Sequence, residues 1–425
     1  MCTRQPFALH GAVSCPPFFC VVPWPVATRR KRYNSRMTPW QTLFNAAETA
    51  PRYLIGIMSG TSGDGADAAL VRFGDDSASL MAWAFVPFSG DLQARILAAS
   101  HGAGNAETLS RLSVELSARY ADAVHAVYTE ANLPSPAKVL AIGCHGQTVS
   151  HTPRGDFPAT LQLCDAAALA HRTGLPVVSH FRGADVSLGG QGAPLVPLAD
   201  WRLLTHPTLN RAVQNIGGIS NVTYLPAGGA ADQVIGFDTG AGNMLIDHFA
   251  AWATGGKLRF DENGAIAALG SVEPALMRRL FDHSFLRKTP PKSAGREEFG
   301  TAFASDIEAF LQTHPLRPAD ALATVTAFTA YSIADAYASF LPTLPDEVIV
   351  SGGGARNPVL MAFLREKLTP IPVRAADDLG INASAREAIA FAVLADETLR
   401  GRPASLPAVT GATRAAVSGS VTLPP

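Results

Sequence analysis

The chain has 425 residues, 47% hydrophobic and 16% charged, which is enough for a two-domain globular protein with ample core. Its 34 Lys and Arg balance 35 Asp and Glu, so no net field exists to gather nucleic acid or an anionic membrane surface. No apolar run reaches the roughly 18–20 residues of a spanning helix. Cys144 and Cys164 lie in the body while Cys2, Cys15 and Cys20 crowd the N-terminus. That is no secreted disulfide framework, and a cytoplasmic protein is expected.

Residues 1–36 are unlike the rest. Pro16, Pro17, Pro23 and Pro25 interrupt an apolar stretch, and Arg29-Arg30-Lys31-Arg32 follow it, the reverse of a signal peptide. A disordered extension is expected, or an upstream start with Met37 as initiator, so residues 1–50 stand apart and the folded body begins near Pro51. Residues 55–67 then read as a buried strand entering a loop, Gly60-Thr61-Ser62-Gly63-Asp64-Gly65-Ala66-Asp67. Glycines let backbone N–H groups approach a phosphate, and the hydroxyls add donors. A carboxylate there suits a divalent cation bridging it to phosphate.

Leu112, Leu116, Tyr120, Val124 and Val127 recur at helical spacing, predicting an amphipathic helix over 107–131. Val139 to Cys144 is a short apolar strand leading to a His145 loop. Asp165 caps an Ala-rich helix that Gly174 ends, and residues 176–181 form the next strand. A second glycine turn follows a strand at Asp238-Thr239-Gly240-Ala241-Gly242-Asn243, and a third at Ser351-Gly352-Gly353-Gly354. Asn357 and Pro358 suit the first turn of the helix after it. None is a P-loop or a dinucleotide fingerprint. Residues 318–341 and 385–400 are further helices. Alternating strands and helices give an α/β class, and the glycine-loop strands at 55–67 and 235–247 hint at a duplicated domain.

The chain resembles the anhydro-N-acetylmuramic acid kinases, within the superfamily of sugar kinases, heat-shock ATPases and actin. The matching motifs are Met58 to Ser62 with Asp64-Gly65, His145-Gly146-Gln147-Thr148, Gly189 to Pro197 and Asn215 to Asn221. Asp238-Thr239-Gly240 with Gly242-Asn243-Met244, Pro290-Pro291-Lys292-Ser293 with Gly295-Arg296-Glu297, and Ser351 to Asn357 complete the set. They run in family order over roughly residues 52 to 413. The resemblance implies two related domains of the actin-like ATPase fold around a nucleotide cleft. The first spans 51–200 with a returning C-terminal helix in 384–413, and the second spans 201–383. It also implies a homodimer using ATP and a small sugar, with no nucleic acid or membrane partner. Gly60 through Asp67 are then expected on the phosphates. Asp238, Thr239, Gly240 and Gly242 clamp the other side, and Gly352, Gly353 and Gly354 lie under adenosine. Mg²⁺ is reached through water by Asp64 and Asp238. The implied reaction opens the 1,6-anhydro ring with water and phosphorylates O6, in peptidoglycan recycling.

One position departs from that pattern. In Val177-Val178-Ser179-His180-Phe181-Arg182, His180 stands where the resemblance places a catalytic Asp. An imidazole can be a general base, but it differs from a carboxylate in length and charge. Two hypotheses follow: a kinase with His180 as base, or a catalytically impaired relative that keeps the nucleotide clamp. Asp185 is a possible substitute carboxylate, more simply structural. Gly63 and Ala241 loosen their loops. Cys144 and Cys164 suit inert small hydrophobes. His145 suits a ligand contact or a structural hydrogen bond equally. Lys292 and Arg296 suit either a substrate carboxylate or solvent. Glu387 reads as a helix-surface charge, and His101, His171 and His283 have no zinc spacing.

Overall fold

A computed structural model describes residues 37–75, 77–132, 139–379, 382 and 385–425; the extension expected over residues 1–36 lies outside them. The strands are β1 Arg52–Ser59, β2 Gly65–Phe73, β3 Ala78–Pro87, β4 Val139–Thr152, β5 Ala159–Leu163 and β6 Val177–Ser179. After them come β7 Arg211–Ile216, β8 Ile219–Leu225, β9 Ile235–Ala241, β10 Glu347–Ser351, β11 Val373–Ala375 and β12 Ser420–Thr422. They form two sheets. One runs β12-β6-β4-β1-β2-β3 with β5 on β4; the other runs β11-β10-β7-β8-β9.

The two sheets share one plan. In the first, β1, β2 and β3 form an antiparallel meander, with β4 and β6 added in parallel. In the second, β7, β8 and β9 make the meander, with β10 and β11 added in parallel. The duplication is therefore present, but its register differs from the expected pairing of 55–67 with 235–247. The turn after β1 corresponds to Gly217-Gly218 after β7, whereas the Asp238 strand corresponds to β3.

Local signals act as the sequence suggests. Asn105 and Asp165 accept from Thr108 and Ala168 N–H at 2.9 Å, capping helices Ala106–Glu130 and Ala166–Thr173. Gly174 closes the second in the left-handed region at φ 68°. Two expectations need correcting. β4 does not stop at Cys144, because β5 pairs with it from Gln147 to Thr152 and carries the strand through the His145 motif. The described fold also starts before Pro51. Helix Pro39–Ala47 buries Leu43 and Ala47 in the same cluster as helix Arg386–Leu399.

Helix Arg386–Leu399 lies on the first sheet at unusually close range. Gly56 and Gly143 are direct partners across β1 and β4. A Cβ on Gly56 would strike the carbonyl of Ala388, and one on Gly143 the carbonyl of Phe391. Ala388, Ala392 and Ala395 keep the facing side of the helix small and fully buried. Arg52 on β1 pairs with Asp396 on the helix, with Nη2 to Oδ2 at 2.7 Å, and both are buried. Replacing Gly143 with Ala is expected to destabilise the protein by about 3 kcal/mol or more, since helix or strand must move. Denaturant titration of Gly143→Ala checks this, and an unchanged midpoint would contradict the packing.

Candidate active site

The turn between β1 and β2 is shaped by its own side chains. Ser59 Oγ donates to Gly65 O at 2.9 Å and to Gln147 Oε1 at 2.6 Å, while Gln147 Nε2 donates to Gly60 O at 3.0 Å. The His145 motif on β4 thus braces the glycine turn on β1. Gly63 sits at φ 60°, and a Cβ there would meet Ile96 Cγ2 at 2.9 Å, so glycine fits a crowded left-handed site. Thr61, Ser62 and Asp64 are exposed, and Ser62 Oγ donates to Asp64 Oδ1 at 2.7 Å. Gly65 begins β2, and Ala66 points into the core. Asp67 lies on β2 and accepts from Trp83 Nε1 at 3.0 Å. Burial pushes its carboxyl up to about 6, opposed by that indole and supported by Glu387 and Asp64.

In the second domain three glycine turns interlock. Gly242, Asn243 and Met244 N–H donate to Gly218, Gly217 and Gly218 O at 3.0, 2.7 and 3.1 Å. Gly352, at φ 82°, has no room for a Cβ beside Asn215 Oδ1 and Ile216 O, both 2.7 Å away. A Cβ on Gly353 would stand 3.3 Å from Asn243 Nδ2. The ends of β7, β9 and β10 therefore present one continuous rim of main chain. One expected contact needs revising: Thr239 is fully buried and accepts from Gln214 Nε2 at 3.3 Å. Its side chain faces the core, leaving only its backbone for a nucleotide.

Asp238 points the other way, into a cavity of about 590 Å³ between the β4–β5 hairpin and the second sheet. His151, Arg154, Gln191, Asn221 and Ser293 also line it. The Asp238 carboxylate accepts from Ala294 N at 2.7 Å, and Asp238 N donates to Lys292 O at 3.1 Å. Burial raises the carboxyl to about 6, against the Ala294 N–H and Lys292, which lower it. Lys292 is not the solvated loop charge of one expectation. Its ammonium is buried 4.2 Å from the Phe340 ring centroid and 4.9 Å from that of Phe285. Burial lowers its pKa to about 8, with Asp335 and Asp238 opposing. It anchors the loop that holds Asp238. Arg296 is exposed.

His180 follows β6 as an exposed residue at φ 60°. Histidine, aspartate and asparagine enter this region more readily than most side chains. Its ring fills the space where a Cβ on Gly183 would lie. Asp185 is fully buried and accepts from Gly192 N and Thr410 Oγ1, each at 2.7 Å. Its carboxylate is a brace for the loop that carries Gln191. His145 is buried, accepts from Arg182 Nε at 3.0 Å and packs 4.6 Å from Phe391. Burial and then Arg182 hold its pKa well below the usual histidine range, so it is a neutral structural partner. The Cys144 thiol is pushed well up by burial, then by Cys164, and is inert.

Sequence reasoning undervalued Glu387. It is exposed at the start of the packed helix, and its charge is felt by both Asp67 and the half-buried Arg182. Its place within one turn of a helix that returns to the first domain was the available signal. Arg154 was missed because it lies outside the quoted motifs. Among the described residues, no three His, Cys, Asp or Glu gather as a metal cluster, and no helix is long and apolar enough to cross a membrane.

This arrangement can be set beside known proteins. The family model described as anhydro-N-acetylmuramic acid kinase matches residues 52–424. The chain belongs to that family. It is a kinase of the anhydro sugar. It is 42% identical over 386 residues to the anhydro-N-acetylmuramic acid kinase of Salinibacter ruber (strain DSM 13855 / M31), covering 88% of this chain and 96% of the relative. The Bacillus cereus (strain AH820) enzyme of the same name is 42% identical over 387 residues, covering 88% and 100%. Among solved structures, a ROK family glucokinase from Streptomyces griseus in complex with glucose and AMPPNP aligns with a TM-score of 0.38. Its identity is 14%, over 80% of this chain and 98% of that one.

The raised Asp238 pKa carries a stability cost with a definite sign. Folding disfavours the ionised carboxyl, so its stability is present at about pH 4 and is lost as pH rises through about 6. Asp238→Asn keeps an acceptor for Ala294 and is expected to stabilise the protein at pH 7.5 by about 1–2 kcal/mol. Near pH 4 it should change little. Thermal unfolding at the two pH values checks this, and equal midpoint shifts would contradict it.

Proposed function

We propose that the protein uses ATP and water to convert 1,6-anhydro-N-acetylmuramic acid to N-acetylmuramic acid 6-phosphate, in peptidoglycan recycling and amino-sugar catabolism. Water adds at C1, the C1–O6 bond breaks, and O6 takes the γ-phosphoryl of ATP. The observation that carries the reading is the Asp238 carboxylate, half-buried at the cavity between the two sheets and held by the Ala294 N–H at 2.7 Å, with desolvation lifting its pKa to about 6. A base in that range is deprotonated at neutral pH yet strong enough to take a proton from water.

Asp238 is therefore assigned as the general base in place of His180. Two features favour it. The 292–294 loop holds Asp238 by its carboxylate, through Ala294 N–H, and by its backbone N–H, through Lys292 O, whereas the His180 side chain is exposed and rests on Gly183. The impaired-relative hypothesis then loses its motive, since His180 no longer replaces an essential group. Arg154, Gln191 and Asn221 line the same cavity and suit the hydroxyl, amide and carboxylate groups of the sugar.

The exposed Asp64 turn and the interlocked turns at Gly217, Gly242 and Gly352 suit the phosphates. Mg²⁺ fits Asp64 through water, with Asp67 and Glu387 adding negative charge behind it. Mg²⁺ needs only one or two protein carboxylates, so a preformed cluster is not required. When bound, the ion neutralises charge on the phosphate oxygens. The chain's own part is to hold the sugar and triphosphate in line and to accept the water's proton. A cytoplasmic homodimer, expected from the family, completes the reading.

The test is formation of N-acetylmuramic acid 6-phosphate from ATP, Mg²⁺ and the anhydro sugar. Asp238→Asn is expected to lose about 10²–10⁴ in kcat, while His180→Asp and His180→Ala stay within about tenfold of the parent. Loss of turnover in His180→Ala with activity kept in Asp238→Asn would reverse the assignment. A parent chain that binds ATP without turnover would restore the impaired relative.

A further inference from the structure

Helix Pro39–Ala47 carries an apolar stripe left largely outside the core. Leu43 and Ala47 seat the helix in the same cluster as helix Arg386–Leu399. A capping box fixes its start, with Gln41 N donating to Thr38 Oγ1 at 3.2 Å and Thr38 N to Gln41 Oε1 at 2.9 Å. Trp40 and Phe44, four residues apart, form an adjoining stripe that points outward, 42% and 38% exposed. Their rings stack with centroids 6.0 Å apart. Met37, 56% exposed, is drawn onto the helix by Asn45 Nδ2, which donates to its Sδ at 3.1 Å. The helix has no charged residue of its own. An aromatic pair and a thioether offered to water by a fixed helix form a patch with a task, unlike apolar residues scattered singly.

The charge ahead of the helix indicates the partner. Residues 1–36 hold Arg4, Arg29, Arg30, Lys31, Arg32 and Arg36 with no Asp or Glu, although the whole chain is balanced. Arg36 adjoins Met37 directly. A polybasic run beside Trp, Phe and Met is the pattern of an interfacial anchor, with cations drawn to anionic headgroups and rings at the headgroup level. Glu48, just past the helix, lies 3.8 Å from Arg400, which offsets a negative charge next to the stripe. Both the helix and the basic run precede residue 52, where the family match begins. The family expectation of no membrane partner therefore speaks for the body after them.

We propose that this N-terminal element binds an anionic lipid surface, with Met37, Trp40 and Phe44 entering the interface and the cations of residues 29–36 at the headgroups. Binding is peripheral, since no helix among the described residues is long and apolar enough to span a membrane. The pair of Glu48 with Arg400 sets the element at the C-terminal end of helix Arg386–Leu399. Glu387 lies at the other end, about 20 Å away at the rise of an α-helix. A surface docked here leaves the cleft open, and the inference does not rest on the kinase reading.

The test is co-sedimentation of the full chain with vesicles of phosphatidylcholine alone and of phosphatidylcholine mixed with phosphatidylglycerol. The parent is expected to bind the mixed vesicles roughly tenfold or more tightly than the neutral ones, and less so as salt rises. Trp40→Ser combined with Phe44→Ser should weaken binding roughly tenfold or more at every salt concentration. Arg29→Gln, Arg30→Gln, Lys31→Gln and Arg32→Gln together should remove the preference for anionic lipid. Unfolding midpoints equal to the parent's show that neither set of changes unfolds the body. A parent that sediments with neither vesicle, or equally with both, overturns the inference. So does anionic binding that survives the Trp40 and Phe44 changes, which would mark a purely electrostatic segment that duplex DNA captures as well. A dimer in lipid-free light scattering that those two changes dissociate would assign the stripe to a second copy, and would overturn it too.

Discussion

The seat of helix Arg386–Leu399 on Gly56 and Gly143 is the constraint on which the rest depends. Two glycines facing each other across β1 and β4 let the helix approach until its carbonyls occupy the space of two missing side chains. That contact joins a segment near the end of the chain to two of the strands that form the first cleft wall. Phe391 then reaches both His145 and Phe181, 4.6 and 5.5 Å between ring centroids. Through His145 the helix supports Arg182, which donates to Gly192 O at 2.6 Å and so holds the Gln191 loop beside the cavity. Glu387 arrives at the cleft by the same geometry. A shift of this helix would disturb the glycine turn, the cavity loop and the acidic face together.

The glycine turns of the two sheets are braced differently. In the first, one turn is braced by side chains, with Ser59 and Gln147 tying β1 to β4 and leaving Thr61, Ser62 and Asp64 exposed. In the second, main chain braces main chain across Gly217, Gly218 and Gly242, and Gly242 and Gly352 pack too closely for side chains. The first arrangement offers hydroxyls and a carboxylate; the second offers a smooth rim. Asp238 stands where β9 leaves that rim, and the caged Lys292 keeps its loop in place without spending its charge on solvent.

Much of this was legible in the sequence. Helix caps at Asn105 and Asp165, the Gly174 stop and the long helices follow from local chemistry, and they appear within a residue or two of expectation. The family and the two-domain plan were carried by ordered motifs. What the sequence could not give was direction. Alternation along β9 puts Asp238 in the cavity and Thr239 in the core, yet both sit in one motif. Lys292 stayed open between a substrate carboxylate and solvent because nothing local announces that Phe237, Phe285 and Phe340 converge on it from three separate segments. His180 drew attention because it breaks a pattern, but a broken pattern identifies a position and not a role.

The central claim is that the group taking a proton from water is the half-buried Asp238 carboxylate. The most direct measurement is the pH dependence of kcat/KM for His180→Ala beside the parent chain, since this ratio reports the pKa values of the free enzyme. The account predicts that activity rises through about pH 6 in both, because Asp238 must be ionised and its pKa is set by burial. An acid limb present in the parent and absent from His180→Ala would mean that the imidazole owns that titration, and would contradict the account.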